Sequence, residues 1–184
     1  MNNPALYALL FAEIFFIVFL LMTIIHNVMS LWGGLRFAPY VPSTAERVEV
    51  MIRLAQVTSG MRTIELGSGD GRITIAAAQH GARATGYEAD PLLVAWSRLQ
   101  ARLKKIHGAD FQRASIWAIN WPPETDVVFV YGLPRFMGKV WEKACKELRP
   151  GTKIVSNAFH IPNQKPMTVE GAVEVYIIPE KMAE

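Results

Sequence analysis

No lysine or arginine occurs in residues 1–35; all 19 basic side chains lie from Arg36 onward. A secretory signal peptide needs a positive start and a small-residue cleavage site, and neither is present. The chain has one cysteine, Cys145, which excludes an internal disulfide framework and fits a reducing compartment. It sits in a helical pattern (Trp141 to Leu148), so it reads as packing rather than as a nucleophile. Neither it nor the four histidines show a metal-ligand spacing, and His80, His107 and His160 fall at segment ends as solvated residues do. Repeats and low-complexity segments are missing too. From residue 36 onward the 19 basic residues face 15 acids, a net +4, since Glu13 is the one earlier acid. That charge has no basic block, so nothing in it demands nucleic acid. A mildly basic face beside an anionic leaflet is its simpler use.

Apolar residues, by contrast, make up 51% of the chain, and they concentrate near its start. From Ala5 to Ile25 the only charge is Glu13. As a helix that run rises about 31 Å, close to the hydrocarbon thickness of a bilayer. Residues 1–35 are therefore expected to form an uncleaved single-pass transmembrane anchor. Arg36, Arg47 and Arg53 follow the span and nothing basic precedes it, so the N-terminus should face outward and the body lie in the cytoplasm. Glu13 near mid-membrane would cost about 2.5–3.5 kcal/mol unless protonated, paired or close to the interface. Two further divisions are expected: a leading segment and helix over 36–60, and one domain over 61–184.

The most informative stretch is Glu65-Leu66-Gly67-Ser68-Gly69-Asp70-Gly71-Arg72. It follows an apolar run and leads into Ile73 to Ala78, giving strand, glycine turn and helix. Glycine is required where φ is positive or where a Cβ would strike a ligand. The spacing lacks the third glycine position of the dinucleotide fingerprint. Two acids, Glu65 and Asp70, stand where a pyrophosphate loop would rarely place them. A ligand bearing an ammonium and a sulfonium tolerates them, and S-adenosylmethionine is that ligand.

Around the octet the chain alternates strand and helix. Strands are expected at 62–66, 82–87, 110–115, 126–131, 152–159 and 173–178. Helices are expected from a capping box with Ser43 as N-cap to about Gln56, then at 72–80, 92–105 (opened by Asp90-Pro91) and 139–148. The fold class is α/β, a doubly wound, mostly parallel sheet with ligands at the carboxyl ends of its strands. Glu88 ends the second strand 23 residues after Glu65, where such folds set an acid against ribose hydroxyls, with Ala89 beside it. Ser115-Ile116-Trp117 ends the third, where the adenine is contacted, and Trp117 either stacks on the base or fills core. The fourth ends in Tyr131-Gly132-Leu133-Pro134, where the transferred methyl should point. An Asn/Asp/Ser-Pro-Pro-Tyr/Phe motif for an exocyclic amine is not there, so no nucleic-acid partner is expected. Trp121-Pro122-Pro123 reads as a stiff loop.

Tyr40-Val41-Pro42-Ser43-Thr44-Ala45-Glu46, the octet, Gly86-Tyr87-Glu88 and Val130 to Pro134 together resemble one family. It is the seven-β-strand, class I protein-lysine methyltransferases that modify the mitochondrial ATP synthase c subunit and the adenine nucleotide translocase, with their prokaryotic relatives. The likeness covers roughly residues 38–166. It implies a Rossmann-like sheet and S-adenosylmethionine as cofactor, with S-adenosylhomocysteine as product and no metal. Glu65, Gly67, Ser68, Gly69, Asp70 and Gly71 would then line the methionine end, Glu88 and Ala89 the ribose, and Ser115 and Ile116 the adenine. The Pro42-Ser43-Thr44 segment would fold over the site. Ser115 stands where an acid would hold the adenine amine, a departure from the family pattern. The implied reaction is in-line displacement by a neutral lysine amine, with Tyr131 as the catalytic candidate. Tyr40, Trp117, Tyr131, Pro134, Phe136 and Phe159 would bind substrate, a protein lysine on a membrane-associated partner. Methylation of a lipid or a small hydrophobic amine or quinone is the rival reading, and a non-catalytic adaptor is a second.

Overall fold

The structure is a computed structural model that describes residues 4–36, 41–132 and 134–180. It divides into two units, Met1–Pro39 and Tyr40–Glu184.

In the first unit, helix α1 spans Pro4–Arg36. Apart from Glu13 and Thr23 its described side chains are apolar, and Tyr7 and the large apolar residues between Leu9 and Ile24 are all exposed. Thr23, the polar residue near the end of that stretch, turns its hydroxyl back onto the Phe19 and Leu20 carbonyls. The expected spanning helix is not supported here. Among the described residues no helix is long and apolar enough to cross a membrane. Glu13 interrupts the apolar run of the described α1 side chains.

The second unit opens with α2 (Ala45–Ala55), whose buried stripe is the expected Val48, Met51, Ile52 and Ala55. Its N-cap differs from expectation. Thr44, not Ser43, accepts from the Arg47 N–H, because Ser43 is drawn into the core by Asn157. Strands β1 (Arg62–Leu66), β2 (Arg83–Glu88), β3 (Ala109–Arg113), β4 (Val127–Val130), β5 (Lys153–Asn157), β6 (Thr168–Glu170) and β7 (Val173–Ile177) form one sheet. Its order is β3-β2-β1-β4-β5-β7-β6. The first five strands are parallel, while β7 runs antiparallel to both β5 and β6.

Helices α3 (Arg72–Gln79), α4 (Pro91–Leu103) and α5 (Pro134–Glu147) connect them. Asp90 caps α4 as expected, accepting from the Leu92 and Leu93 N–H groups, with Pro91 behind it. Strand β4 explains the layering. Val127 and Phe129 enter the core under α2 and α3, while Val128 and Val130 enter the core under α5. A strand covered on both faces reads as an unbroken apolar run, and this one does. Most boundaries move by a residue or two, and the larger differences from expectation are these. Helix α5 begins at Pro134 rather than at residue 139, β5 stops at Asn157, and β6 has no counterpart among the expected strands. Ala158 explains the second: its φ is +74°, so the chain turns away before Phe159.

Candidate cofactor and substrate site

The sheet order reverses between β1 and β4, and the crevice beyond the carboxyl ends of these strands is where such sheets hold ligands. Residues 67–71 lie there and are held from several directions. The Gly67 and Ser68 N–H groups both donate to the Tyr87 carbonyl, at 2.9 and 3.0 Å. The Glu88 carboxylate accepts from the N–H groups of Gly69 (2.9 Å), Ala89 (2.7 Å) and Asp90 (2.9 Å). From α4, the Ser97 hydroxyl donates to the Gly69 carbonyl at 3.0 Å and the Gln100 amide to the Asp70 carbonyl at 3.1 Å. A loop tied at both its donors and its acceptors is preorganised, and a ligand laid on it need not order it.

Two glycines show why the loop needs them. Gly67 and Gly71 have φ of +76° and +81°. A Cβ on Gly71 would lie 2.6 Å from Phe111 Cε1 and 2.9 Å from Ser97 Cβ, so helix packing forbids it. A Cβ on Gly67 would meet nothing within 4 Å. Its surroundings are an open cradle that a methyl group would begin to fill. Beneath the loop, the Ser68 hydroxyl is buried without a hydrogen-bond partner among the described residues. The residues present thus fit a flat nucleoside-like group: an open glycine surface, and a carboxylate at the end of β2 with acceptor capacity beyond its three backbone donors.

Glu65, expected at the methionine end, is buried against the start of α3. It is 5% exposed, and its carboxylate accepts from the Thr74 N–H at 2.9 Å and the Thr74 hydroxyl at 2.5 Å. It therefore ties β1 to the first turn of α3. Burial pushes its pKa up to about 8, against the pull of the Thr74 hydrogen bonds. Asp70 forms a bidentate pair with Arg72, with Nη2 to Oδ2 at 2.6 Å. The Arg72 guanidinium also donates to the Ser43 carbonyl, and the Asn157 amide donates to the Ser43 hydroxyl at 2.9 Å. Loop, β5 and the segment ahead of α2 thus meet at Ser43. Thr44 is exposed and occupied with capping α2.

The substrate candidates form two aromatic pairs. Tyr131, just past β4, stacks on Phe159, just past β5, with centroids 6.0 Å apart and planes at 26°. Trp117 packs at 6.0 Å on Phe136 of α5, over which the Arg135 guanidinium lies at 4.7 Å. Pro134 starts that helix, and Tyr40 lies outside the described residues. Ser115 and Ile116 sit in the turn after β3. The Ser115 carbonyl accepts from Ala118, and the Ile116 carbonyl from the indole of buried Trp121 at 3.1 Å. That contact makes Trp121 a structural post. Cys145 is half-buried on α5 and burial raises its pKa, in keeping with packing. His160 is exposed yet sits 2.6 Å from Glu174, an ion pair when protonated. A cavity of about 540 Å³ in the seam of α2 and α3, lined by Val48, Ile52, Val57 and His80 among others, holds none of the candidate residues.

Sequence reasoning does not single out Ser97, Gln100, Arg72, Asn157 or Ser43 as loop supports. The one sequence signal for them is polar residues on an inward helix face, Ser97 between Val94 and Ala101.

The ANTKMT methyltransferase domain matches residues 65–168. The ATP synthase c-subunit lysine N-methyltransferase of Rattus norvegicus is 36% identical over 129 residues, covering 70% of this chain and 59% of that protein. A protein-lysine N-methyltransferase of Saccharolobus islandicus (strain REY15A) is 32% identical and covers 71% of this chain and 83% of that one. Among solved structures, an RNA methyltransferase from Salinibacter ruber in complex with S-adenosyl-L-homocysteine has a TM-score of 0.73 and 34% identity, covering 78% of this chain and 97% of that chain. The chain spans between 51 and 59% of the length of the mammalian relatives it matches. The strand order, the glycine loop and these matches agree, and the chain belongs to the ANTKMT methyltransferase domain family.

Proposed function

We propose that this chain is an S-adenosylmethionine-dependent protein-lysine methyltransferase acting on membrane-associated substrates. The observation that carries the reading is the cradle at Gly67, open above and fixed below, beside Glu88 in a chain of this family. Gly67 to Gly71, Glu88 and the turn at Ser115 and Ile116 would hold S-adenosylmethionine. Bound there, the cofactor supplies an electrophilic methyl on a positively charged sulfur.

The remaining work falls to the chain's own residues. Bringing a lysine amine from its reference pKa of about 10.4 to neutral at pH 7 costs about 4.6 kcal/mol. An aromatic wall formed by the Tyr131–Phe159 stack would strip water from the ammonium and offset part of that cost. Fixing the amine against the cradle contributes the rest, since orientation alone is worth up to about 7–11 kcal/mol. No proton acceptor beyond water is required once the amine arrives neutral.

The membrane part of the reading rests on α1, whose exposed apolar side chains need cover. The basic residues that follow the apolar run, Arg36, Arg47 and Arg53, favour the anionic cytoplasmic face of that membrane for the domain. A loop lysine of a membrane protein, such as a c-subunit-like protein, is the favoured acceptor. RNA methylation is a second reading, favoured by the name of the Salinibacter ruber protein. Against it, the end of β4 (Val130-Tyr131-Gly132) offers no Asn or Asp to hold a base amine.

The test incubates the full chain with host membranes and total RNA, with the cofactor's methyl tritiated. Counts in protein, mapped to lysine by mass spectrometry, are the expected outcome. Label confined to a chloroform extract or to RNA rejects the lysine reading.

A further inference from the structure

Helix α4 has a second apolar face that its own domain does not use. Val94, Ser97 and Ala101 point inward and are buried. On the opposite side, Leu92, Trp96, Leu99 and Leu103 are exposed by 69, 51, 45 and 72%. At about 100° per residue these four fall within one narrow ridge running the length of the helix. Isolated exposed leucines need no explanation, but a continuous ridge with a tryptophan in it does.

The charge around the ridge says what covers it. Helix α4 and the turn after it carry Arg98, Arg102, Lys104 and Lys105 and not one acid. Arg98 is used inside, donating to the Phe111 carbonyl. Arg102, Lys104 and Lys105 are exposed at the end of the ridge, and among the described residues none of them is in an ion pair. Aliphatic side chains on one line, an amphipathic indole among them and unneutralised cations at the border match an anionic bilayer interface.

We propose that the outer ridge of α4 is a membrane-contact surface that seats the methyltransferase domain on an anionic lipid interface. This rests on the membrane reading given above, and adds to it a second, independent point of contact. Helix α4 begins directly after Glu88 and Asp90. A domain lying on this ridge would hold the rim of the cofactor loop at headgroup depth, where loop lysines of membrane proteins sit.

The experiment uses the full chain with Cys145→Ser and one new cysteine at a time: Leu99→Cys on the ridge, Phe15→Cys on α1, and Glu142→Cys on the exposed side of α5. Each carries an environment-sensitive fluorophore, and the protein is reconstituted with phosphatidylcholine–phosphatidylserine vesicles containing a lipid with a brominated chain. The expected result is loss of most of the Leu99 and Phe15 signals and little loss at Glu142, with the Leu99 loss reversed by Leu103→Glu or by neutral vesicles. Cofactor binding and the thermal midpoint should be unchanged in Leu103→Glu, showing an intact fold. Quenching at Phe15 without quenching at Leu99 overturns the ridge while leaving α1 at the membrane. Quenching at neither site overturns both readings. A Leu99 label shielded without any dependence on brominated lipid assigns the ridge to a protein segment, and overturns the proposal as well.

Discussion

Gly67→Ala and Gly71→Ala separate what the loop does for the fold from what it does for a ligand. Both residues have positive φ, so alanine costs about 1–2 kcal/mol at either one. At Gly71 the new Cβ also meets Phe111 Cε1 at 2.6 Å and Ser97 Cβ at 2.9 Å. Overpacking of that kind adds about 1–3 kcal/mol, so Gly71→Ala should lose about 2–5 kcal/mol of stability in all. At Gly67 nothing lies within 4 Å, and stability should fall by the strain alone. In a domain of this size that lowers the thermal midpoint by about 2–8 °C. On the proposed reading the same methyl group stands where the cofactor touches backbone, so the overpacking cost moves from folding to binding. A loss of about 1–3 kcal/mol there is a rise of about 5- to 150-fold in Kd. Calorimetric titration with S-adenosylmethionine and scanning calorimetry on both variants supply the readouts. A folded Gly67→Ala protein that binds with unchanged Kd would falsify the assignment of that open surface to the ligand.

Glu65 makes stability pH-dependent. Its folded pKa of about 8 lies above the ordinary 4.5, so between these values the folded state keeps a proton that the unfolded state has lost. Stability is full below about pH 4.5, falls as pH rises to about 8 and is flat beyond, the cost at pH 7 being about 3 kcal/mol. Glu65→Gln should flatten denaturant-derived stability across that window, and an unaltered slope sinks the account. Glu88→Gln leaves one oxygen for three backbone donors and should raise the cofactor Kd by about 10- to 150-fold, by calorimetry. Tyr131→Phe keeps the stack on Phe159 and should retain most of the turnover, while Tyr131→Ala removes the wall and shifts the kcat–pH profile to higher pH. Equal losses in both variants, with no shift, would make the hydroxyl rather than the wall the functional part.

Much of the fold was legible because its signals are local and mutually consistent. Asp90-Pro91 announces a helix start by itself, and the apolar run of β4 announces a strand buried on both faces. Pro134 carries the same N1 signal for α5, yet Gly138 inside the first turns hides the helix until residue 139. Strand β6 has three residues, too few to show a period, and exists because β7 offers it an edge. The choice between Ser43 and Thr44 as cap depended on Asn157, 114 residues away, which no local pattern contains. In the site, the residue types of the loop were readable, whereas their partners were not. Glu65 stands out in sequence as a candidate ligand contact, whereas its hydrogen bonds to Thr74 across the turn do not. Which aromatic stacks on which depends on the crossing of β4 and β5, and the pairing of Tyr131 with Phe159 emerges only from the folded sheet.

Ser43 is gripped at its carbonyl by Arg72 and at its hydroxyl by Asn157, and Arg72 in turn grips Asp70. Whatever displaces residue 42 is therefore delivered to Asp70 on the cradle's rim, and untying the knot at Ser43 would change how the cradle holds.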